Sequence, residues 1–172
     1  MVKVLKSGFY STIQDLGRFK FQHYGVPVSG AMDQYSAKLA NALLNNDKNA
    51  AVLEITMTGP MLQFECETQI CISGADMSPQ INNKDIKLNH IVIIKDGDVL
   101  SFGKLKFGFR CYLAVLDGFQ TEVVMKSRSM YNDITSQVTI SKGEELLLSR
   151  FSINKEDAHA AIKVYANHFS SN

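Results

Sequence analysis

Apolar and polar residues alternate from the start: Val2-Lys3-Val4-Leu5-Lys6 reads as a strand, and Ser7-Gly8 breaks it. The pattern returns after Ala51. Val52 to Met57 is extended and rich in β-branched residues, Thr58-Gly59-Pro60 is a turn, and Met61 to Glu65 alternates again. Gln69 to Ser73 forms a further strand ending at Gly74-Ala75-Asp76. Ser78 to Ile81, a turn at Asn82-Asn83, a short strand around Ile86 and a run from His90 to Lys95 follow. Phe109 to Leu116 is strongly apolar and stops at Asp117-Gly118. Many short strands with turn signals at close intervals predict a β-barrel or sandwich. One stretch keeps helical spacing instead, from about Asp33 to Asn45. Asp33 is its N-cap, with Ser29 as the alternative. Ser36, Leu39, Ala40, Leu43 and Leu44 share one face, Gln34, Lys38, Asn41 and Asn45 the other, and Asn45-Asn46-Asp47 ends the helix by turn chemistry.

Between the first strand and the helix lies an irregular loop punctuated by Gly17, Gly25 and Gly30. Pro27 presses Val26 toward an extended shape, and Phe19, Phe21, Tyr24, Val26 and Val28 call for burial. A short echo recurs later: Ile94-Lys95-Asp96-Gly97-Asp98-Val99-Leu100 and Ile140-Ser141-Lys142-Gly143-Glu144-Glu145-Leu146 both read strand, glycine turn, strand. Two instances predict a recurring hairpin within one barrel, not a repeat protein. Near the end, Asn154 to Ala158 opens like a short capped helix, and Ile162 to Tyr165 alternates like a strand.

Composition narrows the classes. The 172 residues are 45% apolar and 20% charged with a net charge of +1. That is ordinary for a globular domain and carries no footprint for nucleic acid or an anionic membrane. No apolar run approaches the ~20 residues of a membrane helix, so a cytoplasmic address is expected. Cys66, Cys71 and Cys111 show no CxxC spacing and read as buried, reduced thiols. No metal site is evident.

The candidate chemistry gathers before the helix. Asp15 and Arg18 read as a loop ion pair, or as turn-binding groups, or as part of a site. In the last case Arg18 would clamp a substrate carboxylate through its planar fork, with Gln14 or Asp15 orienting it. Ser29-Gly30 could present backbone amides to an anion. Glu54, inside an apolar strand, faces either a pocket or solvent, and needs a partner if buried. Asp76 suits a turn, and Arg128 is a second anion candidate beside its plainer reading as a solvated loop residue. There is no GxxxxGK[ST] and no GxSxG motif, and His23, His90, His159 and His168 are scattered.

Taken together, STIQDLGRFKFQHYGVPVSGAMDQYSAKLANALLNND, AVLEITMTGPMLQFE, ISGADMSPQIN, GDVLSFG, FRCYLAV and SRSMY resemble the carboxyltransferase A/B domain family. That family includes the C-type subunit of 5-oxoprolinase, the KipI antagonist and proteins labelled allophanate hydrolase subunit 2. It also includes part of the urea carboxylase carboxyltransferase domain. The resemblance implies a mainly β, cyclophilin-like barrel over residues 1–150, with 151–172 an extension or the start of a second half. It implies a component of an ATP-dependent 5-oxoprolinase that opens 5-oxoproline to glutamate, working with partners like the B-type and A-type subunits of that system. There the complex would bind ATP, and this half alone is expected to be inactive. Two alternatives are a KipI-antagonist-type protein that sequesters a B-type partner, and a urea carboxylase relative, although no biotin-attachment segment is present. Under the leading reading, Gln14, Asp15, Arg18, Ser29, Gly30, Asp33, Glu54 and Arg128 would line the substrate site. The chain departs from the family pattern at three places. Asp117-Gly118 stands where Gly-Gly is usual, Lys126 where a glycine precedes SRS, and Gly143-Glu144 where Gly-Asp is expected.

Overall fold

The computed structural model describes residues 1–149; the expected helix and strand beyond residue 150, and the proposed 151–172 extension, lie outside them. In chain order the strands are β1 Val2–Lys6, β2 Tyr10–Gln14, β3 Val52–Thr56, β4 Met61–Phe64 and β5 Thr68–Asp76. There follow β6 Pro79–Ile81, β7 Lys84–Asp85, β8 Ile91–Ile94, β9 Val99–Phe102, β10 Phe107–Val115 and β11 Glu145–Leu146. The α-helix α1 spans Gln34–Leu43, and one 3-10 turn covers Gln22–Tyr24. The expectation of a mainly β fold with one amphipathic helix is met. Among the described residues, however, the ladders do not close into a single ring. They form two antiparallel sheets, β11-β1-β4-β9-β6-β7 and β2-β3-β10-β5-β8.

Three layers result. The main core lies between the sheets, where Val2, Val4, Leu62, Phe64 and Leu100 of the first meet Ile13, Leu53, Ile55, Ile70, Ile72, Leu113 and Val115 of the second. The opposite face of the second sheet carries α1: Ala37, Leu39, Ala40 and Leu43 cover Val52, Cys71, Tyr112 and Ala114. Burial of these apolar faces, at ~25 cal/mol per Å², is the main force joining the layers. The strand period of two is what allows β5 and β10 to serve both cores at once.

The helix starts where its sequence says it should. Asp33 Oδ1 accepts from the backbone N–H groups of Tyr35 (3.0 Å) and Ser36 (3.1 Å), satisfying two of the donors that a helix start leaves open. Two expectations fail. Asn41, placed on the polar face, is buried; its amide donates to the Ala50 carbonyl at 2.8 Å and its Oδ1 accepts from Asn46 at 3.0 Å. Phe19 and Tyr24, expected inside, are 54% and 74% exposed and belong to neither apolar cluster of the described residues.

The echo between Ile94 and Ile140 is real but is not a hairpin. β8 and β9, which flank the first turn, belong to different sheets. In both copies the Gly-acid pair grips one residue of a strand in the first sheet. Gly97 N–H donates to the Phe64 carbonyl (2.8 Å) and Phe64 N–H to the Asp98 carbonyl (2.9 Å). Gly143 and Glu144 do the same to Val4, at 2.8 and 2.9 Å. In each copy the acidic side chain also accepts the N–H three residues before it, Lys95 on Asp98 and Ser141 on Glu144, both at 2.8 Å. The departure from Gly-Asp to Gly-Glu therefore keeps the turn. The other two departures keep their backbone as well: Asp117 has φ 60° and Lys126 φ 65°, the left-handed region that glycine occupies without strain.

Candidate functional site

Two polar centres lie on either side of the start of α1, and they differ in kind. The first is buried. Asp15 accepts four hydrogen bonds: from Gly17 N–H (2.8 Å), Ser127 Oγ (2.7 Å), Arg128 N–H (2.7 Å) and Ser129 Oγ (2.7 Å). Arg18 is 0% exposed. Its terminal nitrogens donate to Ser29 Oγ (2.9 Å) and the Ser129 carbonyl (2.5 Å), and its Nε to the Val124 carbonyl (3.4 Å). Burial pulls its pKa below the ordinary arginine value, against the opposing pull of the Asp15 and Glu122 charges. Gln14 joins the same centre, donating to Thr12 Oγ1 (3.0 Å) and the Met130 carbonyl (3.1 Å) and accepting from Gly30 N–H (3.1 Å).

Two glycines let these segments cross. A Cβ on Gly17 would stand 2.6 Å from the Val28 carbonyl oxygen, and one on Gly30 2.8 Å from the Leu16 carbonyl. Only a bare backbone fits, and both residues have positive φ. Arg18 N–H to Val28 (2.7 Å) and Ala31 N–H to Asp15 (2.9 Å) close the crossing. The QDLGR, GVPVSGAMD and SRS stretches are thus three segments of one knot. Arg128 hangs from its outer side. Its guanidinium donates to the Thr121 carbonyl and to Gln120 Oε1 (2.8 Å), bordering a polar hollow of about 220 Å³ that Glu122, Ser136, Gln137 and Glu144 also line.

The second centre is open. The face of the second sheet that carries α1 is apolar under the helix body but polar beyond its start. Antiparallel register sets Glu54 opposite Tyr112, Thr56 opposite Arg110, and Ser73 opposite Tyr112, so all five share that face. Glu54 is 5% exposed, which decides between its two readings: it points inward. Its Oε2 accepts from Met32 N–H (2.8 Å) and the Tyr112 hydroxyl (2.9 Å), and its Oε1 lies 3.4 Å from Arg110 Nε. The Tyr112 oxygen in turn accepts from Asp33 N–H (2.8 Å). Burial, then the Glu54 charge, pushes the Tyr112 pKa up, so the phenol stays protonated.

Above this row is a cleft of about 280 Å³ lined by Met32, Asp33, Gly74, Ala75, Phe107, Gly108, Phe109 and Arg110. A bulge makes it. Between the pairs Phe107–Asp76 and Cys111–Gly74, β10 has three residues, Gly108, Phe109 and Arg110, where β5 has only Ala75. Bulges of this type bend a strand and re-aim its side chains, often beside sites. Arg110 is re-aimed over the Phe109 ring, 5.4 Å from its centroid.

Of the residues singled out from sequence, the structure therefore brings Gln14, Asp15, Arg18, Ser29 and Gly30 together in the buried knot, with Arg128 on its edge. Asp33 lines the cleft, and Glu54 is buried beside it, paired with the Arg110 of the lining. Asp76 has the turn role expected of it, accepting from Ser78 N–H at 2.8 Å. Arg110 was missed. Its signal was present: a lone arginine and Gly108 inside an otherwise apolar strand, where glycine often marks a bulge.

The family model of the carboxyltransferase domain, subdomain A and B, matches residues 24–168. The chain belongs to this family. Among curated members, it is 40% identical over 130 residues to the urea amidolyase of Lachancea kluyveri, covering 75% of this chain and 7% of that protein. It is 33% identical over 129 residues to the C-type subunit of 5-oxoprolinase from Escherichia coli, covering 75% of this chain and 42% of that one. The chain thus spans under half the length of these relatives. The solved K. lactis urea amidolyase superposes with a TM-score of 0.80 at 36% identity, over 87% of this chain and 9% of that structure. No helix among the described residues is long and apolar enough to cross a membrane.

Proposed function

We propose that this chain is the substrate-holding part of a component like the C-type subunit of 5-oxoprolinase, in a system that opens 5-oxoproline to glutamate with hydrolysis of ATP. Proteins like the B-type and A-type subunits of that enzyme would be its partners, and the complex would bind the ATP. The observation that supports this reading is the composition of the cleft. It has a cation, apolar walls and a volume near the lower bound of roughly 300 Å³ for small-molecule pockets. Among the described residues its lining has no serine, cysteine, histidine or lysine, and the Asp33 carboxylate is engaged by Tyr35 N–H, Ser36 N–H and Ser36 Oγ. Such a site can bind and orient a small cyclic amide, while the groups that activate it come from elsewhere. The residues that hold the cleft in shape are Glu54, Tyr112 and the bulge, and the Asp15–Arg18 knot fixes the Ser29-Gly30 segment that leads into Met32 and Asp33 of the lining.

A second reading is favoured by the 40% identity to a urea amidolyase: that this chain serves a urea carboxylase system. Chimeras separate the two. The matching stretch of the E. coli 5-oxoprolinase C-type subunit, or separately that of L. kluyveri urea amidolyase, is replaced by this chain. The expected result is ATP-dependent glutamate release from 5-oxoproline by the first chimera together with the E. coli A-type and B-type subunits, and no urea turnover by the second. A first chimera that folds and assembles but releases no glutamate overturns the reading, and urea turnover by the second establishes its rival.

A further inference from the structure

We propose that Arg110 is the anion clamp of the cleft and that the cleft takes a small carboxylate whose body is a flat, largely apolar ring or amide. This deepens the reading above, on which it rests only for the choice of probe.

Three observations carry it. First, the guanidinium is held from behind. Glu54 Oε1 sits 3.4 Å from Nε, and Glu54 is itself fixed by Met32 N–H and the Tyr112 hydroxyl. Nε is buried and makes no hydrogen bond, so the contact is an ion pair that orients the group without consuming its terminal nitrogens. A planar fork anchored at one edge and open at the other is suited to bidentate carboxylate. Secondly, the fork is placed against apolar surface. It lies over Phe109, and Phe107 and Met32, 46% and 70% exposed, stand on the same cleft. Gly74 and Gly108 keep the remaining wall bare: a Cβ on either would meet the Arg110 carbonyl oxygen at 2.6 Å or the Ala75 Cβ at 2.8 Å. Thirdly, polar atoms are left over on the same sheet face. Thr56 Oγ1 and Ser73 Oγ are buried without a hydrogen-bond partner, on the residues opposite Arg110 and Tyr112. Orphaned hydroxyls in a native structure call for an explanation. Neither residue lines the cleft, so a water bridging from them to the ligand would supply their partner.

Arg18 cannot fill this role, since its nitrogens are taken up by the knot. Asp33, the acidic residue of the lining, turns both oxygens to the helix start, whose amides and dipole offset part of its charge.

The carboxylate could belong to 5-oxoproline or to N-carboxyurea, the product of transferring a carboxyl group to urea. Calorimetric or ligand-observed NMR titration of the 172-residue chain with these two and with 2-pyrrolidinone, which has the ring but no carboxylate, tests the assignment. At least one of the two carboxylates is expected to bind about tenfold or more tightly than 2-pyrrolidinone. Arg110→Lys, which keeps a counter-charge for Glu54, is expected to remove that advantage and leave the weak 2-pyrrolidinone binding unchanged. Phe109→Ala is expected to weaken both. Arg110-dependent binding of N-carboxyurea alone upholds the clamp and turns against the 5-oxoprolinase reading. Binding that ignores Arg110→Lys, or no binding of either carboxylate by the folded chain, overturns the clamp.

Discussion

Arg18 and Arg110 bring the same side chain to opposite sides of one helix start, and the surroundings give them opposite tasks. Around Arg18 each of the three guanidinium nitrogens donates to a carbonyl or hydroxyl of the protein, and the neighbouring carboxylate of Asp15 accepts from four donors. A buried charge in such a place is tolerated because each of its nitrogens has a partner, and it becomes costly as soon as one partner goes. Around Arg110 one edge is held by Glu54 and the other faces a cleft. The first arrangement fixes loops to one another; the second leaves binding capacity free. Residue type therefore says little about role here, and the count of partners already taken says much.

The sharpest way to break the contrast is to remove the acceptor at its centre. Asp15→Ala strands Ser127, Ser129, Gly17 N–H and Arg128 N–H together, and is expected to cost about 3–5 kcal/mol and lower the melting temperature by roughly 10 °C. Thermal denaturation that moves by only a degree or two would place Asp15 outside the scaffold. A smaller effect separates the two arginines directly. Arg18→Lys keeps the charge but loses the fork, with an expected loss of about 2–3 kcal/mol in urea unfolding. Arg110→Lys should cost less than about 1 kcal/mol, since the arginine side chain is partly exposed and the charge opposite the buried Glu54 survives. Equal losses would erase the distinction. The smallest effect lies beside the knot. Lys126 holds a left-handed backbone one residue before Ser127. Lys126→Gly is expected to stabilise by about 0.5–1 kcal/mol by relieving that conformation. A destabilised variant would show that the lysine side chain contributes a contact of its own.

The strands, the helix and its Asp33 cap were legible because they depend on local pattern: period two, period 3.6 and a side chain that satisfies its own neighbours' amides. The Ile94 and Ile140 echo was legible as a turn but not as a grip on Phe64 and Val4, since those partners are distant in the chain. Asn41 was misplaced for the same reason. A polar residue on a helix reads as exposed unless a partner such as Ala50 or Asn46 is known to be there. Phe19 and Tyr24 erred the other way, because apolar residues are expected inside and nothing local shows that a loop residue joins neither apolar cluster.

By itself, the sequence determined the family, the mainly β class and the place of the helix, because specific motifs and short-range periodicity survive without knowledge of contacts. It also gathered the candidate chemistry in the stretch just before the helix, from Gln14 to Gly30. Only the tertiary structure decided what that stretch does. Asp15 meets Ser127 and Ser129 across more than a hundred residues, and Arg110 meets Glu54 across two paired strands. Whether a guanidinium is engaged or open is a property of such long-range pairings, and no local pattern encodes it.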